Sequence, residues 1–285
     1  METLWSVRRP VRDLRPGDHA WLAYSGEDEQ RHIAGAFVRD GLLAHDKVVY
    51  LTGSARDAVP GLTPDLPAHL LTVLAAEPPG GERLDPRAAA AMLAAELTRA
   101  RRAGFRAVRL AADLTWALGG AGGLDPLLDL ERRLDRAVAP STSVTALCQV
   151  DRRRGRPADL AAMRAAHAVH ATPDPEFEDS VLCVVRTFQP AGLALSGELD
   201  ASRHAILDQA LAAASAATAG DVHLDLAGLG FIDLGAINIL ADAAARHAGR
   251  GRIVLDRIPA QLRAVLETVG WHMLPGLSLS GPNLT

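Results

Sequence analysis

The sequence predicts an α/β protein in two domains, and three observations carry that reading. Short β-branched runs alternate with longer Ala- and Leu-rich stretches of helical period along most of the chain. Residues 170–179, with two prolines and four acidic residues, break the alternation and form the best linker. The length of 285 residues suits two domains at roughly 100–200 residues each. The boundary falls after residue 174, giving domains of 1–174 and 175–285.

The first domain begins with a short apolar strand at residues 20–24. Residues 27–43 carry Ile33, Phe37 and Val38 at helical spacing. The KVVYL run at 47–51 and the apolar run at 70–75 read as buried strands. A helix is expected over 86–103, with Pro86 in its first turn, where a missing N–H costs nothing. A strand at 105–111, a helix at 124–139 and a strand at 144–150 complete the series, and the alternation predicts a mostly parallel sheet.

The second domain reads ββαβαβα, a mixed sheet with helices. Strands are expected at 180–185 and 193–196, and a helix at 201–219 with Asp200 as its N-cap. A strand at 222–226 follows. The next helix opens at Asp233, runs to about residue 247, and ends at Gly249 or Gly251. A strand at 252–255 and a helix at 259–269 close the domain.

Composition excludes several classes. With 48% hydrophobic and 22% charged residues the chain is not wholesale disordered. A net charge of -4 leaves no general basic footprint, so no direct nucleic-acid partner is expected. Residues 1–18 lack a signal-peptide core, and no run of 18 uncharged apolar residues occurs, so no membrane association is expected. Two cysteines, Cys148 and Cys183, cannot make a disulfide framework, which points to reduced thiols and a cytoplasmic location. Lys47 is the only lysine, so any lysine chemistry would have to use it.

The string LALSGELD, ending at Asp200, is followed by a helix and then by VHLDLAGLGFID, ending at Asp233. This pairing resembles the STAS domain of anti-sigma-factor antagonists and sulfate transporters. The resemblance covers residues 181–274, and without a transporter span it implies the signalling branch. It also implies a docking surface at Glu198, Asp200, Asp233, Leu234 and Gly235, and an anti-sigma factor or serine-kinase-like partner. Phosphorylated members carry Asp-Ser-Ser-Gly after the Phe-Ile pair. Here the matching residues are Asp233, Leu234, Gly235 and Ala236, and no Ser, Thr or Tyr occurs from residue 219 to 267. The usual phosphate, a gain of roughly −1.5 to −2 charge at a helix start, is denied to this turn.

In the first domain, DHAWLAY at 18–24, FVRDGLL at 37–43, KVVYL at 47–51, ADLTW at 112–116, Leu130-Glu131 and VTALCQVD at 144–151, with His167 downstream, stand in order. Together they resemble the MEDS domain, the methanogen/methylotroph, DcmR sensory domain, over residues 13–170. The family often has Glu where Asp113 stands and an aromatic where Val150 stands. The segment also looks like a worn RecA/KaiC-type P-loop core. Its loop, however, reads YSGEDEQRH at 24–32, with one glycine, three carboxylates and no lysine, which would repel a triphosphate. No ATP chemistry and no cofactor are expected.

His19, Trp21, Tyr24, Trp116, Cys148 and His167 are the ligand-binding candidates, placed by this reading around the C-terminal edge of the sheet. Aromatics with a few polar groups suit a small, partly apolar ligand. His167 and His170, three residues apart, have a spacing that could place them on one helix face; no metal site is expected. The Arg152-Arg153-Arg154 run reads as a solvated turn. The chain is thus read as a non-enzymatic regulator with a sensory and a protein-interaction domain. The competing reading is an enzyme or ligand-binding protein working in the N-terminal cleft, with the second domain as a homo-oligomerisation module.

Overall fold

A computed structural model describes residues 6–77, 85–120, 123–268 and 270–280. The chain divides into two units, residues 1–172 and 173–285, each treated by itself. The expected helix at 259–269 ends on Val269, which lies outside the described residues.

The first unit runs β1 (Val7–Pro10), β2 (His19–Tyr24), α1 (Glu27–Leu43), β3 (Lys47–Ser54), β4 (Leu71–Glu77), α2 (Pro86–Arg102), β5 (Val108–Asp113), α3 (Asp125–Val138), β6 (Val144–Asp151), α4 (Pro157–Ala165) and β7 (Val169–Thr172). Its sheet has the order β1-β7-β2-β6-β5-β3-β4, and every pairing is parallel. A parallel sheet needs cover on both faces, and two cores supply it. One joins Trp21, Leu51, Cys148 and Val150 to Leu93 and Leu97 of α2, Leu127, Leu130 and Leu134 of α3, and Met163 of α4. The other joins Leu22, Tyr24, Tyr50 and Leu147 to Ile33, Phe37 and Leu42 of α1. Period 2 along β2 sends His19 and Trp21 to the first face and Ala20, Leu22 and Tyr24 to the second.

The second unit runs β8 (Pro175–Glu178), β9 (Leu182–Phe188), β10 (Ala191–Leu199), α5 (His204–Ala217), β11 (Val222–Ile232), α6 (Leu234–His247), β12 (Ile253–Asp256), α7 (Ala260–Thr268) and β13 (Leu277–Leu279). The order is β13-β12-β11-β10-β9-β8. The β8, β9 and β10 pairings are antiparallel, and β10 to β13 pair in parallel. Leu207 and Leu211 of α5 and Leu240 and Ala244 of α6 pack on Leu193, Leu224 and Leu255 of the sheet.

Two expectations are corrected here. The linker segment is not structureless: β7 and β8 lie in it, because each adds to a sheet edge region, and an edge strand tolerates Pro175. His167 and His170 do not share a helix face. Helix α4 ends at Ala165, so His167 sits in the following turn and His170 in β7.

Candidate functional sites

Parallel strands bring their C-terminal ends to one edge. A cleft of about 900 Å³ opens there, lined by Tyr24 from β2, Thr52 and Ser54 from β3, Glu77 from β4, Asp113 from β5 and Asp151 from β6. Its far wall is the 57–63 segment, including Val59, Pro60 and Leu62. That wall approaches α1 through two glycines. A Cβ on Gly61, whose φ is +74°, would lie 2.2 Å from the Gly35 carbonyl oxygen.

The floor is a polar network. The Tyr24 hydroxyl donates to Asp113 Oδ2 at 2.9 Å, and the Gln30 amide donates to the same oxygen at 3.0 Å. The Thr115 N–H donates to Asp113 Oδ1 at 3.0 Å, and the Thr115 hydroxyl accepts from the Asp151 N–H at 2.9 Å. Burial, aided by the Asp113 charge, pushes the Tyr24 and Tyr50 phenols up, so both stay neutral, and the Tyr50 hydroxyl accepts from the Gln149 amide at 3.3 Å. The arginine run is a turn with Arg153 and Arg154 exposed, as expected, and two of its side chains are paired. Arg153 forms a fork with Asp151, and Arg152 bonds Glu29 at 2.8 Å. Lys47 begins β3 at the opposite end of the strand and is buried, so the cleft has no lysine.

Of the six ligand-binding candidates, Tyr24 and Trp116 line this cleft. His19, Trp21, Cys148 and His167 do not, which corrects their placement at the sheet edge. His19 starts β2, and five residues at roughly 3.3 Å each separate it from Tyr24. Cys148 is mid-strand in β6, in register with Trp21.

These buried residues form a second site, inside the core under α3. His19, Glu131, Cys148 and His167 each offer one donor atom, and the four atoms lie within 4.8 Å of one another. His19 Nε2 is 3.1 Å from Glu131 Oε2 and 3.3 Å from Cys148 Sγ. His167 Nε2 is 3.2 Å from the same Glu131 oxygen. Glu131 is 1% exposed and Cys148 0%. Burial pushes the Glu131 carboxyl up, but His167 and His19 outweigh it and hold it down. Burial pulls the His167 imidazole down, and the Glu131 carboxylate more than offsets this, leaving it raised. Burial, reinforced by Glu131, pushes the Cys148 thiol well up.

Reading the sequence missed Glu131 as a partner of these residues, although a signal was present. Leu127, Leu130, Leu134 and Val138 mark the buried stripe of α3, and Glu131 lies on it, four residues from Leu127 and three from Leu134.

In the second unit the parallel β10–β11 pair carries all five docking candidates to one end. Glu198 pairs in register with Phe231. Asp200 caps the turn after β10 by accepting from the Ser202 N–H at 3.0 Å, and Arg203 ties it to Asp179. Asp233 is the N-cap of α6, accepting from the Ala236 N–H at 2.7 Å, and His204 contacts the same oxygen at 2.8 Å. Gly235 lets His204 approach, since a Cβ there would lie 2.2 Å from its ring. Leu234 projects outward at 69% exposure and Phe231 at 50%. Phe231 is a further apolar group that sequence reasoning did not single out.

One α/β unit thus has a cleft at the C-terminal edge of its sheet, and the other has an exposed apolar residue at the start of α6. Residues 18–168 match the family model of the MEthanogen/methylotroph, DcmR Sensory domain, and residues 183–277 match that of the Mlab, STAS domain. The chain belongs to the MEDS family and carries a STAS domain after its MEDS domain. No curated protein matches it. The pairing marks a signalling or regulatory protein. Among the described residues, no helix is long and apolar enough to cross a membrane.

Proposed function

We propose that this chain is a cytoplasmic, non-enzymatic regulator of the anti-sigma-factor-antagonist type, in which the turn that starts α6 docks on a serine-kinase-like partner without phosphate control. The observation that carries this is Leu234, an apolar residue 69% exposed at the first position of α6, where the family's phosphorylated members have serine. A packed leucine would need no partner; this one is largely exposed, as is Phe231 near the end of the preceding strand. A leucine removes both the phosphate's attraction to the helix start and its repulsion of a partner.

Regulation then belongs to the first domain. It is read as a RecA/KaiC-like core, a reading supported by the order β7-β2-β6-β5-β3 and by the β2–loop–α1 unit. Its phosphate loop is spent. The Ser25 N–H donates to Glu29 Oε2 at 2.7 Å, so a carboxylate of the chain already takes the place of an anion, and Arg152 neutralises it. The cleft above the Asp113 network is left for a small ligand with hydrogen-bond donors and an apolar side. That ligand shifts the protein only by binding one conformation better than another.

The test is affinity capture with the full chain and with Leu234→Glu as baits. The wild type should recover a serine-kinase-like anti-sigma protein, and the variant at least tenfold less. Equal recovery by both baits contradicts the docking role, as does recovery of further copies of this chain alone. Calorimetric titration with Mg-ATP should show no binding; saturable heat would contradict the spent loop.

A further inference from the structure

We propose that His19, Glu131, Cys148 and His167 together bind one divalent transition-metal ion, with zinc the ion that their donor set selects. The inference stands apart from the docking and sensing readings, since it uses neither the cleft nor the α6 turn.

Geometry is the first argument. Around a tetrahedral zinc, with bonds of about 2.0–2.3 Å, neighbouring donor atoms are separated by roughly 3.3–3.6 Å. The three edges measured here are 3.1, 3.2 and 3.3 Å, and all four atoms stay within 4.8 Å. Two histidines, a thiolate and a carboxylate are a zinc-type set, too soft for magnesium or calcium.

The second argument is unsatisfied polarity. Both Glu131 oxygens and His167 Nε2 are buried and make no hydrogen bond, despite their short separations. Buried polar atoms without hydrogen bonds are costly and rare. The short contacts without hydrogen-bond alignment are what donor atoms aimed at a common centre produce. A divalent ion would satisfy Glu131 Oε2 and His167 Nε2, and with one thiolate and one carboxylate the site would be neutral, as a core requires.

The third argument lies behind the donors. His167 Nδ1 contacts the Met163 carbonyl at 2.8 Å, which sets that nitrogen as the N–H and turns the Nε2 lone pair to the site. His19 Nδ1 makes no hydrogen bond, and the nearest carboxylate oxygen, Asp135 Oδ1, is an ion-pair neighbour at 3.5 Å. Four protein donors close the coordination shell, so the ion's role is structural. It would tie α3 and the α4–β7 turn to β2 and β6.

The experiment uses the full chain, purified without an affinity tag that binds metals. Elemental analysis should find about one zinc per chain. After exchange to cobalt, visible bands of tetrahedral Co(II) and a near-ultraviolet thiolate charge-transfer band should appear. X-ray absorption on the zinc form should show one sulfur at about 2.3 Å and three N/O scatterers at about 2.0–2.1 Å. Cys148→Ser should lower retained zinc at least tenfold and abolish the charge-transfer band. Should that variant fail to fold, the wild-type spectra decide by themselves. A chain that arrives without metal and takes up neither zinc nor cobalt overturns the proposal, and so does a loaded chain with no sulfur ligand.

Discussion

The two units break the rule of burial in opposite directions. In the first, four ligand-type side chains are enclosed in a core of Leu, Val and Ala. In the second, a leucine and a phenylalanine stand in solvent at the mouth of a helix. Along the same helix Leu240, six residues from Leu234, is buried. A polar cluster inside is costly unless its groups are paired, and an exposed apolar pair is a candidate contact surface. The two events proposed above differ in kind: one would hold a fold together, and one would join the chain to another molecule.

The largest effect should come from emptying the inner cluster. Glu131→Ala leaves His19 and His167 buried without their carboxylate, a loss of about 3–5 kcal/mol. Calorimetry should show the N-terminal transition lowered by roughly 10 °C. A drop within 2 °C, as for a surface change, would break the comparison on that side.

Next comes a pair on one helix. Leu240→Ala should cost about 2–5 kcal/mol, because it opens a cavity beneath α6. Leu234→Ala should change stability by less than about 0.5 kcal/mol while lowering partner recovery. If the two alanines cost alike in urea denaturation, Leu234 packs in solution and the outer site is lost.

The smallest effect is pH dependence at the cap. The Ala236 N–H and then the His204 imidazole hold the Asp233 carboxyl below the usual carboxylate range. Its support for α6 is complete above the unfolded value of about 3.9 and fades as the pH falls through the lowered folded value. Asp233→Asn keeps an acceptor for the helix start but removes this acid dependence, so the wild-type and variant stabilities should converge below that window. Parallel pH curves would assign the cap to another group.

Much of the fold was legible because periodicity is local. The Val144–Asp151 and Lys47–Ser54 strands announce themselves by β-branched runs, and Pro86 marks the start of α2. The elements missed are the nine-residue helix α4 and short strands: β1, β7, β8 and β13 have three or four residues each, and two of them contain proline. The start of α6 at Asp233 was legible for the same local reason, since the cap and the first helical residues are consecutive. The inner cluster was not, because its members stand at 19, 131, 148 and 167 and meet only through parallel pairing of β2 with β6 and the crossing of α3 above them. Only the odd glutamate on an apolar stripe betrays it.

Native mass spectrometry of the untagged full chain tests the central contrast most directly. The folded protein should weigh more than its sequence by one zinc ion per chain, acid denaturation should remove that excess, and Leu234→Glu should retain it in full. Equal masses before and after denaturation would contradict the account of the buried cluster.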